Sequence, residues 1–170
     1  RMPGDLKTWV SFFIMGGLNN LIPFSLIVWG QSQIDSGLAS IINATTPLFT
    51  VALAHVLTTD EKLSTNKAIG ILFGIIGVTV LIGPDALKGL DGQAWGKIAI
   101  VGAAISYSFA GIFGKRLSTM PTSVAAAGML TGSSVMMLPL MFVFETPLLT
   151  TPDMATWGSV LAIALLSTSV

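Results

Sequence analysis

The chain has 170 residues and a net charge of zero, with 52% of residues hydrophobic and 9% charged; its mean hydropathy is +0.83. Soluble domains are about a quarter charged, so this composition excludes an ordinary globular fold and points to a membrane. The balanced charge leaves no electrostatic footprint for nucleic acid, and the lack of cysteine removes disulfides, thiolate catalysis and Cys-based metal sites together.

Six apolar stretches follow in chain order: 9–29, 38–57, 68–82, 95–113, 124–144, and 157 to the last residue. A bilayer core of about 30 Å needs about 20 helical residues, which the first, second and fifth stretches meet and the fourth nearly meets. The third is short and needs local thinning or help from Thr65, Asn66 and Lys67. The sixth is cut short by the chain end. Without water to satisfy an open backbone, helices are the expected spanning form. The first residues hold no basic segment followed by a short apolar run and a small-residue cleavage site, so no signal peptide is read. Both ends look cut, and the chain is expected to be a piece of a longer protein.

Polar groups recur at mid-depth. The first stretch carries Asn19 and Asn20 near its midpoint, Pro23 one turn on, and Gly16 on the same face. In the second, Ser36, Ser40, Asn43, Thr46, Pro47 and Thr50 follow three- and four-residue spacing and form one predicted stripe. Pro47 has no N–H, so the carbonyl of Asn43 loses its helical partner. The sequon at Asn43–Thr45 lies inside the apolar run and is discounted. His55, near the end of this stretch, reads as a structural histidine or as a proton relay. The third stretch places Gly70, Gly74 and Gly77 on one side, a small-residue pattern for close helix packing rather than a phosphate cradle. The fourth has Ser106, Tyr107 and Ser108 at its centre. The fifth has "TGSSV" at 131–135, with Gly128 before it and Pro139 after. Pro23, Pro47 and Pro139 are the expected helix kinks. The polar groups either glue helices together or line a central space that binds a small polar solute.

The sixth stretch opens with "TWGS" at Thr156, and the first opens with "TWVS" at Thr8. The two openings have opposite predicted orientations, as an inverted repeat of five helices leaves behind. The connectors carry the charge. Arg1, Lys7, Lys62, Lys67, Lys115 and Arg116 fall on one predicted side, Lys88 and Lys97 on the other, which puts the first side in the cytoplasm. No acidic residue falls inside a stretch, so the carboxylate that proton- and ion-coupled carriers commonly keep in the membrane is not in view. Glu61, in the turn after the second stretch, reads as a helix-terminus or loop ion-pair residue. Neither a catalytic set nor a metal-ligand cluster appears, so no enzyme, cofactor or metal is expected.

The segment 36–84 resembles the end of the first repeat of an EamA-type transporter, of the drug/metabolite transporter superfamily. The resemblance rests on Asn43 to Pro47, Leu48-Phe49-Thr50, Glu61, the Gly70/Gly74/Gly77-Val78 helix and Gly83-Pro84. It implies an all-α polytopic membrane protein with inverted five-helix repeats, ten helices in the full protein and about six here. Residues 1–84 would end the first repeat, 85–95 link, and 96–170 begin the second. It also implies cytoplasmic termini and a central cavity, with Asn19, Asn20, Asn43, Thr46, Ser106 and Tyr107 as the lining. The expected function is a secondary transporter of the inner membrane. It would export small metabolites such as amino acids by alternating access, with the cargo and the bilayer as partners and a homodimer compatible with the fold. The other reading is a membrane-embedded scaffold whose polar stripes only join helices.

Overall fold

The computed structural model describes residues 3–59, 64–82, 93–144 and 153–168, and all their regular structure is helical. Helix α1 (Leu6–Gly16) passes through a π-helical turn (Gly17–Leu21) into α2 (Ile22–Gln31). Helix α3 (Ser36–Asn43) stops and α4 (Thr46–Leu57) restarts after two residues. Then come α5 (Thr65–Ile82), α6 (Ala94–Gly114) with a 3-10 turn at Lys115–Leu117, α7 (Thr122–Phe144) and α8 (Met154–Thr168).

Two of the early starts have a side-chain cap. Asp5 and Asp35 cap α1 and α3 by accepting from the backbone N–H groups of Thr8 (2.9 Å) and Gly37 (2.7 Å). Four spans are long and apolar enough to cross a membrane among the described residues: Leu6–Gln31, Ser36–Leu57, Ala94–Leu117 and Thr122–Val143. They contain the first, second, fourth and, to within one residue, fifth expected stretches. The third stretch gains the help expected of it. Ser64 accepts the Ala68 N–H at 2.9 Å, so Thr65, Asn66 and Lys67 join α5 and lengthen it to 18 residues, about 27 Å. The expected roles of Glu61, Gly83 and Pro84, and the linker before residue 93, lie outside the described residues. The molecule is an all-α polytopic membrane protein.

Two compact units divide the chain at residue 136. In the first, 1–136, α6 is the central helix: 44% of its span is buried, against 17–22% for the others. Its buried face is almost entirely small (Gly96, Ala99, Ala103, Ala104, Ser106, Ser108, Ala110), which lets α2, α3 and α4 pack directly on it. In lipid the apolar effect does not draw helices together, so close van der Waals contact and interhelical hydrogen bonds must do so. Gly30 of α2 and Gly96 of α6 show how close the approach is. A Cβ on either would lie 3.0 Å from the other's carbonyl oxygen. Ile34, Ala39, Ile42 and Ile100 close the core beside them. On the other side, the ring of Phe12, fully buried, lies over Gly128 and its backbone against Gly132 of α7, while Gly16 faces the backbone of Met129 and Ser133. The second unit, 137–170, holds the last turns of α7, running through Pro139, and α8.

Candidate functional site

Pro23 sets the geometry of the first irregular turn. The N–H of Ile22 bonds to the carbonyl of Gly17, five residues back, instead of to Leu18. Leu18 could then be served only by residue 23 in the π register, and Pro23 has no N–H. The hydroxyl of Ser106, from the centre of α6, donates to the Leu18 carbonyl at 2.7 Å. A part-buried carbonyl that the proline leaves without its helical donor is thus satisfied from a neighbouring helix.

Pro47 acts likewise but breaks the helix outright. It stands in the first turn of α4, where a missing N–H is tolerated. The carbonyl of Asn43 accepts from the Thr46 hydroxyl at 2.7 Å, and that of Ile42 from the Thr45 hydroxyl at 2.6 Å. Thr50 and Ser108 meet at the same level, their hydroxyls 3.1 Å apart. Ser106 and Ser108 are two residues apart on α6 and therefore project to nearly opposite sides. One reaches the π turn and the other the broken helix. The Asn43 side chain stands at the break, and its Oδ1 is buried with no hydrogen-bond partner among the described residues.

The asparagine pair is placed differently from Asn43. Asn20 is buried, and its Nδ2 donates to the Ser133 hydroxyl of α7 at 2.9 Å. Asn19 donates to Asn20 Oδ1 at 3.2 Å and lies 3.5 Å from the sulfur of Met129. Asn19, Asn20, Thr46 and Ser106 thus all have partners in this conformation. Tyr107 is half-buried on α6, between the two serines.

Three expectations need correction. The predicted stripe of the second stretch does not stay on one face: Ser36, Ser40 and Pro47 are exposed, and Thr45, left out of the stripe, is buried. The two-residue break at Ala44 and Thr45 shifts the helical phase that the spacing assumed to be continuous. Pro47 accordingly ends one helix and starts another instead of kinking one. Gly70 and Gly77 meet nothing within 4 Å among the described residues, and Gly74 meets only the side chain of Leu48. The close glycine contacts fall at Gly16, Gly30, Gly96, Gly128 and Gly132. The spacing of Gly128 and Gly132, four apart, was the available signal for the last two. A recess of about 400 Å³ is lined by Met15, Leu117, Met120, Ala125 and Met129 and by none of the six expected lining residues.

The "TW" repeat is longer in the structure than the four letters suggest. Asp5 and Asp153 each accept from the backbone N–H three residues on, Thr8 at 2.9 Å and Thr156 at 2.8 Å. Their carbonyls accept from Trp9 (3.3 Å) and Trp157 (3.1 Å). Ser11 and Ser159 each donate to the carbonyl four residues back, at 3.0 and 2.9 Å. The helix start is therefore built twice from the pattern Asp-x-x-Thr-Trp-x-Ser. Hydrogen bonding from the Thr8 side chain and then its backbone holds Asp5 below its ordinary pKa of 3.8, and Thr156 does the same for Asp153.

A polytopic helical membrane protein with proline-interrupted spans and polar groups at mid-depth belongs to the class from which carriers are built. Residues 1–83 match the EamA-like transporter family. The uncharacterized transporter YoaV of Bacillus subtilis is 29% identical over 136 residues, covering 79% of this chain and 46% of YoaV. The uncharacterized inner membrane transporter YedA of Escherichia coli is 30% identical over 143 residues, covering 78% of this chain and 45% of YedA. The chain thus spans about half the length of these relatives. A crystal structure shares the fold with a TM-score of 0.66 at 23% identity, over 97% of this chain and 55% of that one.

Proposed function

We propose that the whole protein is a secondary transporter of the cytoplasmic (inner) membrane. It exports a small polar metabolite, amino acids first, by alternating access between two inverted five-helix halves. The observation that supports this reading is the Asn43 side chain. A buried amide oxygen without a partner costs about 1–3 kcal/mol, and here it stands at a helix break, where carriers of this architecture hold their cargo. An N–H or O–H of the cargo is the partner that would satisfy it. Asn19, Asn20, Thr46, Ser106 and Tyr107 complete the proposed lining. The Asp-x-x-Thr-Trp-x-Ser start at Asp5 and at Asp153 supports the repeat.

The scaffold reading draws on the Asn20–Ser133 bond, which joins α7 to the π turn as an inert joint would. One experiment separates the two. The full-length protein is expressed in a bacterium depleted of its own exporters, and intracellular labelled amino acids and toxic analogues are followed against a vector control. Export lowers the accumulation of at least one compound, and Asn43→Ala at matched membrane expression restores it. Accumulation equal to the vector control across the panel would contradict amino-acid export.

A further inference from the structure

The two serines of α6 hold their neighbours in different ways. Ser106 donates to the Leu18 carbonyl, which has lost its helical donor, so that bond cannot open without leaving a part-buried acceptor bare. Ser108 and Thr50 are not bound in this way. Ser108 Oγ lies 2.8 Å from the carbonyl of Ala104 in its own helix and 3.0 Å from that of Thr46 in α4. Thr50 Oγ1 lies 2.9 Å from the Thr46 carbonyl in its own helix and 3.1 Å from Ser108 Oγ in α6. Each hydroxyl carries one proton, so the four contacts are never all made at once. The protons can both bridge the helices, Thr50 to Ser108 and Ser108 to Thr46. They can also both stay at home, Thr50 to Thr46 and Ser108 to Ala104. In the second arrangement no proton spans α4 and α6, and neither hydroxyl lacks an acceptor.

We propose that Ser108 and Thr50 form a reversible hydroxyl latch that lets α4 part from α6, while Ser106 keeps the π turn fixed to α6. A buried polar contact normally resists separation because both partners would lose their bonds in a medium without water. Here each hydroxyl has an acceptor one turn back in its own helix. The break at Ala44 and Thr45 supplies the joint about which α4 swings, free of the α3 register. The inference concerns helix movement and stands whether or not amino acids are the cargo; only its purpose rests on the transporter reading.

The test is a distance measurement on the full-length protein in lipid nanodiscs, with spin labels at Val56→Cys on α4 and Ile98→Cys on α6, both exposed positions. The wild-type background gives two separations. Ser108→Ala, which removes the bridge, raises the longer one about threefold relative to the shorter, the weight of an average interhelical polar bond in a membrane. Thr50→Val shifts the ratio in the same direction, and Ser108→Thr, which keeps the hydroxyl, leaves it as in the wild type. Ser106→Ala does not move the ratio. A single separation in the wild type, or a ratio that Ser108→Ala and Thr50→Val both leave unchanged, overturns the latch. Neither readout depends on transport.

Discussion

The Ser106 hydroxyl and the Leu18 carbonyl, 2.7 Å apart and 88 positions apart in sequence, tie the centre of α6 to the π turn between α1 and α2. The bond exists because Pro23 cannot donate and the Ile22 N–H is bonded to Gly17. Ser106→Ala should therefore destabilise the full-length protein by about 1 kcal/mol, the net contribution of a part-buried hydrogen bond. Ser106→Thr should recover most of the loss. Reversible unfolding in mixed micelles reads both.

Asn20 and Ser133 form the matching tie on the α7 side. A double-mutant cycle of Asn20→Ala and Ser133→Ala should return a coupling of about 0.6 kcal/mol, with an upper bound of about 1.7, as interhelical polar pairs in membranes do. Additive single losses would show that the pair is a coincidence of packing.

The glycines divide sharply. A Cβ on Gly16 would sit 2.8 Å from the backbone of Met129 and Ser133, and one on Gly128 would lie 2.6 Å from Cγ of Phe12. Gly16→Ala should cost about 1–3 kcal/mol of overpacking strain, with no flexible neighbour to relieve it. Gly128→Ala should be partly rescued by Phe12→Leu. Gly70→Ala and Gly77→Ala meet nothing within 4 Å among the described residues and should be neutral, or stabilise by up to about 1 kcal/mol through helix propensity. Thermal unfolding of the four variants ranks them.

Asp5 caps α1 through the Thr8 N–H, and hydrogen bonding from Thr8 lowers its pKa below 3.8. A depressed folded value means the cap's contribution is present above the unfolded pKa and lost as pH falls through the folded one. The Thr8 amide resonance should titrate with a midpoint below 3.8. Asp5→Asn should keep the cap and abolish the titration.

Much of this was legible in the sequence, because spans are set by length and apolarity, and proline by its missing N–H. Four of the six stretches as spans, Pro23 and Pro47 as points of irregularity, and the polar centres at Asn19, Asn43 and Ser106 could all be read from residue type and spacing. What could not be read is where backbone bonds go once the helix is irregular. The Leu18 carbonyl has no side chain to announce it, and the π register that frees it is a property of the bond pattern. The break after Asn43 resets the helical phase, and Thr45 turns inward, while Ser36 and Ser40 before it are exposed; a periodic stripe assumes an unbroken helix. The glycines of α5 looked like a ridge from spacing alone, yet close approach depends on what stands opposite, and Phe12 stands opposite Gly128.

The central claim is that the buried acceptor of Asn43 is kept for a ligand and not for the fold. Replacing it with an apolar side chain removes an unpaired polar group at mid-depth, which favours the folded state when that group has no partner. The most direct measurement is the thermal unfolding midpoint of full-length Asn43→Leu beside the wild type, both without cargo. The account predicts a midpoint equal to or above the wild type's, in a protein that no longer transports. A midpoint well below the wild type's, with transport per folded molecule unchanged, would contradict it and make Asn43 a structural joint.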